Sequence, residues 1–139
     1  MKVHTSIIQV KTRGGSDIID LTDRVREKTL AAQITNGSLL LFISGSTAAL
    51  TTIEAESGVV NDLRKAIERI APETIPYEHD RRWGDGNGYA HVRAALIGPS
   101  LSIPILNKEM LLGTWQQIVL LDFDNRPRNR EIVVQITGE

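Results

Sequence analysis

The sequence predicts an α+β fold: mixed, mostly antiparallel β-sheets covered by two main helices, formed as a single domain over residues 1–139. Three observations predict it. Short apolar and β-branched runs recur between Gly, Pro and Asn turn signals; two stretches carry helical spacing; and no repeat, linker or low-complexity tract divides the chain. A chain of 139 residues with a 41% apolar fraction is long enough to bury a core without staples.

Val3–Val10 is β-rich and is read as the first strand, closed by a Gly14-Gly15 turn. Asp20–Ile34 is read as a helix with Thr22 as N-cap, Asp23 in the first turn and Asn36-Gly37 as the stop. Leu39–Ile43 is a continuous apolar run, which predicts a strand buried on both faces. The polar Ser44–Thr47 loop leads to a strand over Ala49–Ile53. Val59, Leu63, Ala66, Ile67 and Ile70 fall on one helical face, and Pro72 ends that helix. Pro72–Gly88 has no regular period. His91–Leu96 is read as a strand and Pro104–Lys108 as a turn. Trp115–Phe123 and Glu131–Ile136 are read as the last strands, joined by a hairpin loop over Asp124–Asn129.

Composition excludes several function classes. With no cysteine there is no disulfide framework and no thiolate chemistry. The N-terminus lacks the apolar core of a signal peptide, and no stretch approaches the roughly 20 apolar residues of a membrane span, so a cytoplasmic protein with no membrane partner is expected. A net charge of −1 gives no general pull toward nucleic acid. Local anion sites remain open, because Arg126, Arg128 and Arg130 cluster near the C-terminus while Arg81, Arg82 and Arg93 flank a glycine-rich stretch.

The functional polar site is expected mainly between Tyr77 and Arg93. That segment packs His79, Asp80, Arg81, Arg82, Trp83, Asp85, Asn87 and His91 into thirteen positions, and long irregular loops in compact domains are often functional. The spacing of His79, Asp85, Asn87 and His91 suits two imidazoles and a carboxylate around a divalent cation, zinc or magnesium, although it matches no standard zinc signature. Histidines that merely hydrogen-bond backbone groups are the alternative. His4, on a strand, is read as structural.

In Ser44–Ala49, small residues and the hydroxyls of Ser46 and Thr47 can form a concavity for phosphate oxygens, or a plain strand connection. The loop lacks the lysine and context of a Walker motif. Glu54 places a carboxylate in an otherwise apolar, Thr-rich strand; a metal ligand, a general base and an edge charge are its three readings. Trp115 is read as core or subunit contact, and Gln116 as a ligand-orienting group. The arginines around Pro127 have the fork geometry suited to phosphate or carboxylate; a solvated loop tip or ion pairs between subunits is the alternative.

Taken together, GSTAALTTIE, DGNGYAHVRAALIGPSLSIPI, LLGTWQQI and DFDNRPRNR resemble the YjbQ family over nearly the whole chain. Some members of that family are assigned a secondary thiamine-phosphate synthase activity. The resemblance implies a cytoplasmic homotrimer with a polar cleft near the subunit boundaries. It also implies shared site residues: Glu54, His79, Asp85, Asn87 and His91, the Gly113–Gln116 element, and Arg128. Two departures stand out. Many bacterial members carry a histidine where this chain has Gly45, and the usual Asp-Gly-Pro-Arg turn is one residue longer here, over Asp124–Arg128, as in an archaeal-looking branch.

The expectation for function is a weak thiamine-phosphate synthase-like transferase taking small phosphorylated metabolites. Glu54, His79, Asp85 and His91 would be catalytic; His79, His91 and Asp85 would hold metal; Ser46, Thr47, Asn87, Gln116 and Arg128 would bind substrate. No organic cofactor is expected. A metal-assisted hydrolase or lyase, and a non-enzymatic trimeric binding module, are the alternatives.

Overall fold

A computed structural model describes residues 1–139. Eight strands and four helices follow one another as β1 (Lys2–Thr12), β2 (Asp17–Asp20), α1 (Thr22–Ala31), β3 (Gly37–Ile43), β4 (Ala48–Ile53), α2 (Ser57–Ile70), α3 (Glu78–Trp83), α4 (Gly88–Ile97), β5 (Ser100–Leu106), β6 (Glu109–Met110), β7 (Gln117–Asp122) and β8 (Arg128–Gly138). The strands form a five-stranded sheet ordered β1-β8-β3-β5-β6 and a three-stranded sheet ordered β2-β7-β4, with every pairing antiparallel. The α+β reading therefore holds, with antiparallel sheets and four helices. No helix is long and apolar enough to cross a membrane.

Two apolar interfaces stack the layers. Inward residues of the large sheet, among them Ile8, Leu41 and Ile132, meet Leu50, Ile118 and Leu120 of the small sheet in a cluster of 17 buried residues. The opposite face of the small sheet presents Ala49, Val119, Leu121 and Phe123 to Ile67 of α2 and Tyr89, Ala90 and Ala94 of α4. Strand β7 lies between the two interfaces, so its residues are buried on alternating sides. Each fully buried aliphatic side chain contributes about 1.5–3 kcal/mol, so this double burial anchors the middle layer.

Several sequence expectations change in the structure. The strand buried on both faces is β7 and not β3, whose Leu40 and Phe42 face outward, 39% and 40% exposed. Period-2 alternation is hidden in β3 because its outward positions are also apolar. His91–Leu96 is helical: Ala90, Arg93, Ala94 and Ile97 recur at helical spacing and line one side of α4. Within the stretch read as irregular, Glu78–Trp83 forms the short helix α3, closed by Gly84 in the left-handed conformation at φ 71°. Asp124–Asn129 is not a hairpin loop, since β7 and β8 belong to different sheets and the segment carries the chain between layers. Pro104 lies within β5, with the turn itself at Asn107-Lys108.

Helix α1 is also shorter at its start, because Asp17–Asp20 pairs with β7 as strand β2. Leu21 takes the N-cap position. Thr22, in the first turn, donates from its hydroxyl to Asp20 Oδ1 at 2.6 Å and accepts from the backbone of Ile118 at 2.9 Å. That pair of bonds ties α1 to the middle sheet.

Candidate functional site

The site is built where α3, α4 and the β7–β8 connection meet. Gly88 opens α4 without a side chain because one would not fit: a Cβ there would lie 2.6 Å from Tyr77 Cβ and 3.2 Å from Asp80 Oδ1. That closeness lets the Gly88 amide donate to Asp80 Oδ1 at 2.9 Å, which clips α3 onto the start of α4. The same carboxylate oxygen lies 3.3 Å from His79 Nδ1. One helical turn into α4, His91 brings its ring to 4.4 Å from that of His79, centroid to centroid, with the planes inclined by 40°. The two imidazoles separated by twelve positions are thus in contact.

Burial holds the pKa of His91 below the ordinary histidine value, and the neighbouring His79 pushes it the same way, against the pull of Asp124, Asp85 and Asp80. Its ring is accordingly neutral at pH 7. Asp85 itself sits on the loop before α4, where its carbonyl accepts from Asn125 Nδ2 at 3.0 Å.

Asn87 connects the imidazoles to a buried charge network. Its amide nitrogen donates to Asp124 Oδ1 at 3.2 Å, while its own Oδ1 is buried with no partner. Exchanging the amide atoms would set oxygen against carboxylate, so the orphaned acceptor is a real feature of this arrangement. Asp124 is fully buried. Besides Asn87, it accepts from Thr47 Oγ1 at 3.0 Å, from the Asn125 backbone at 2.8 Å and from Arg128 Nε at 2.8 Å. Burial opposes its ionisation, but these hydrogen bonds outweigh burial and bring its pKa down to about 2. Asp122 is arranged alike. Arg130 donates to it at 2.7 and 2.9 Å, and Thr12 at 2.5 Å; against its burial, these keep its pKa below the usual aspartate value.

Thr47 bridges the two ion pairs, accepting from Arg130 Nη2 at 2.8 Å while donating to Asp124. Its hydroxyl therefore serves the interior, whereas Ser46 beside it is exposed. Arg128 uses Nε and Nη2 on Asp124 and keeps Nη1 unbound, with its side chain 33% exposed. Beside His91, a cleft of about 200 Å³ is walled by Gly45, Ser46, Ala48 and Pro99. Gly45 adopts φ +123°, and a Cβ there would lie 3.3 Å from Arg130 Nη1, so a side chain at this position would be both strained and crowded.

The structure thus brings together His79, His91, Asn87, Thr47 and Arg128, with Ser46 and Asp85 at the margin. It does not bring Glu54 and Gln116 to them. Both lie at the far end of the small sheet, where Gln116 donates to Thr52 at 3.1 Å and Gln117 pairs with Ile53. Along β4 that is roughly 20 Å from Thr47. Trp115 next to them is 72% exposed and belongs to neither core.

No three of the His, Asp and Glu side chains converge as a ready metal centre. The donor set of His79, His91 and Asp85 does not make a closed zinc site.

Sequence reasoning missed the roles of Asp122, Asp124, Arg130 and Asp80, although it named Arg130 in the arginine cluster and Asp80 in the polar segment. The signal for the first three was present: Asp122/Asp124 and Arg128/Arg130 each repeat at two-residue spacing, which puts both members of a pair on one side of an extended segment. Arg93, noted as a flanking cation, proves structural. It is buried against the rings of Tyr89 and Phe123 and ion-pairs with Glu68.

Known proteins share this arrangement of chain. Residues 6–139 match the family described as UPF0047 protein YjbQ-like. A UPF0047 protein of Archaeoglobus fulgidus is 35% identical over 128 residues, covering 92% of this chain and 97% of its own. Another, of Methanothermobacter thermautotrophicus, is 35% identical over 139 residues, 100% of this chain and 95% of its own. A crystal structure of a hypothetical protein from Aeropyrum pernix superposes with a TM-score of 0.90 at 30% identity, covering 98% of this chain and 99% of that one. With the match running through both sheets and every segment of the site, the chain belongs to the UPF0047 family of YjbQ-like proteins.

Proposed function

We propose that the cleft beside His91 and Ser46, with Arg128 tied to it through Asp124 and Thr47, binds small phosphorylated metabolites, and that the protein is a weak transferase of the thiamine-phosphate synthase kind, acting in the cytoplasm. The observation that carries the phosphate reading is Arg128. Asp124 fixes its guanidinium through Nε and Nη2, which leaves Nη1 and the exposed edge as an oriented donor for an anion.

In such a transfer the lone pair of the thiazole nitrogen forms a C–N bond at the methylene carbon of the pyrimidine diphosphate. The C–O bond to the diphosphate breaks, pyrophosphate leaves with that electron pair, and the nitrogen ends quaternary. No proton is transferred. The chief demand on the protein is then to neutralise the leaving group and keep the reactants adjacent. Arg128 and the Ser46 hydroxyl would contact phosphate oxygens, Thr47 would hold the charged pairs beneath them, and Asn87 would fix the start of α4. A magnesium ion held by Asp85 with His79 or His91 would supply further charge to the leaving group.

Glu54 and Gln116 enter this reading only from a neighbouring copy, and we propose a homotrimer. Support comes from the outward face of the large sheet, where Ile7, Val133 and Phe42 lie side by side across three strands. Purified protein given both precursors and Mg²⁺ is expected to form thiamine phosphate and pyrophosphate in equal amounts, with Arg128→Gln about a hundredfold slower. Failure to form product from both precursors would sink the transferase assignment.

One observation favours a second reading. The contact of His79 with His91 also suits a metal-activated water, as in a hydrolase or lyase of a small phosphorylated metabolite. Elemental analysis of His91→Ala beside the parent protein separates the two, since this reading requires bound metal that the variant loses.

A further inference from the structure

We propose that Ser16, in the turn between β1 and β2, is a positioning residue of the candidate site: it fixes the roll of α4 and with it the aim of His91. Gly14, Gly15 and Ser16 all take left-handed backbone, at φ 84°, 67° and 64°. Glycine adopts that region freely, whereas for serine it is sparsely populated. A third glycine would hold the same turn without strain, so what serine adds here is its side chain. The hydroxyl accepts from Arg93 Nη1 of α4 at 2.9 Å. One residue earlier, the Gly15 amide donates to the carbonyl of Asp124 at 2.8 Å. The turn thus ties α4 to the inter-sheet segment that carries Asp124.

The tie is short and closely fitted. A Cβ on Gly14 would lie 2.6 Å from the Asp124 carbonyl oxygen and 2.9 Å from that of Arg126. Thr12, just before the turn, bonds to Asp122, and the Arg13 amide donates to Asp17 Oδ2 at 3.1 Å across it. On α4, Arg93 follows His91 by two positions, about 200° around the helix. Arg93 is buried against Tyr89 and Phe123, while His91 meets His79 and borders the cleft. The remaining bonds of Arg93 go to Glu68 and to the Ala71 carbonyl, on α2 and at its end. Helix α4 is therefore located relative to Asp124 at two points. Asn87 holds its start, and the chain of bonds through Arg93, Ser16 and Gly15 holds its middle. Without the second point α4 can roll about the first, and His91 turns with it.

The test compares the full-length parent protein with Ser16→Gly, which keeps the backbone of the turn and removes the hydroxyl. Two quantities are read: the nuclear Overhauser contact between the His79 and His91 rings, and the calorimetric affinity for inorganic phosphate. Only the second rests on the phosphate reading of the cleft. Loss of the hydroxyl bond and relief of the left-handed serine offset one another, so the melting temperature is expected to stay near that of the parent. The ring contact is expected to weaken and the affinity to fall roughly fivefold. Gly14→Ala and Gly15→Ala give an independent check. Both place a methyl group on left-handed backbone, but only the first meets Asp124, since a Cβ on Gly15 has no neighbour within 4 Å. Gly14→Ala should reproduce the weakened ring contact, and Gly15→Ala should match the parent. An unchanged ring contact in Ser16→Gly overturns the inference, whatever happens to its stability, and leaves the phosphate reading intact. An equal loss of contact in both alanine variants also overturns it, because strain alone would then be the cause. A parent protein that binds no phosphate overturns the phosphate reading alone, since the ring contact still decides this inference.

Discussion

Asp124 is the residue on which the site turns. It joins β4 through Thr47, α4 through Asn87 and β8 through Arg128, so its charge orients groups from three separate elements. A carboxylate held at a pKa of about 2, against 3.8 when free, contributes about 2 kcal/mol of stability that is fully present above the unfolded value and lost as pH falls toward the folded one. Asp124→Asn keeps the shape but leaves Arg128 without its counter-charge. We expect a loss of about 3 kcal/mol at pH 7 in urea unfolding, with the gap from the parent protein narrowing between pH 4 and pH 2. A gap independent of pH would show that the carboxylate's charge is not what holds the site together. In the sequence this was legible only as the two-residue spacing of Asp122/Asp124 and Arg128/Arg130. Asp122 was read within the strand over Trp115–Phe123 and Asp124 in a hairpin loop, whereas the segment crosses between sheets and both are buried.

At the scale of elements, legibility followed how each face is covered. Helix α2 was readable because its one apolar stripe, from Val59 to Ile70, alternates with charge. Helix α4 was not, because Val92 and Leu96 on its outer side are apolar and exposed, which blurs the helical period. The same effect disguised β3. Its outward Leu40 and Phe42 turned an alternating strand into a continuous apolar run, while β7 met the two-sided burial expected of β3. These misreadings have one physical cause: apolar residues stand on faces that the single chain leaves open. The outward face of the large sheet is then expected to be a subunit surface. By sedimentation equilibrium the parent protein should be a trimer, and Phe42→Lys should release monomer by placing a charge where Ile7 and Val133 adjoin it. A monomeric parent protein would contradict this, and would leave Glu54 and Gln116 outside the site.

For the molecule as a whole, a three-layer scaffold brings a loop helix, a second helix and an inter-sheet connection together at the cleft proposed here to bind anions. Sequence spacing pointed to the histidines and the asparagine, and the family resemblance to Arg128; neither could show that Glu54 lies at the other end of β4, because the direction of a strand relative to a distant loop is set by sheet order. The three histidines offer the most direct test. Long-range ¹H–¹⁵N spectra resolve each imidazole, and His4, on β1 opposite Ile136, serves as an internal reference away from the cleft. Titration with pyrophosphate is predicted to shift the ring signals of His79 and His91 together and saturably while His4 stays still. Ring signals that do not move, or that move equally in all three histidines, would contradict a phosphate site at the His79–His91 cleft.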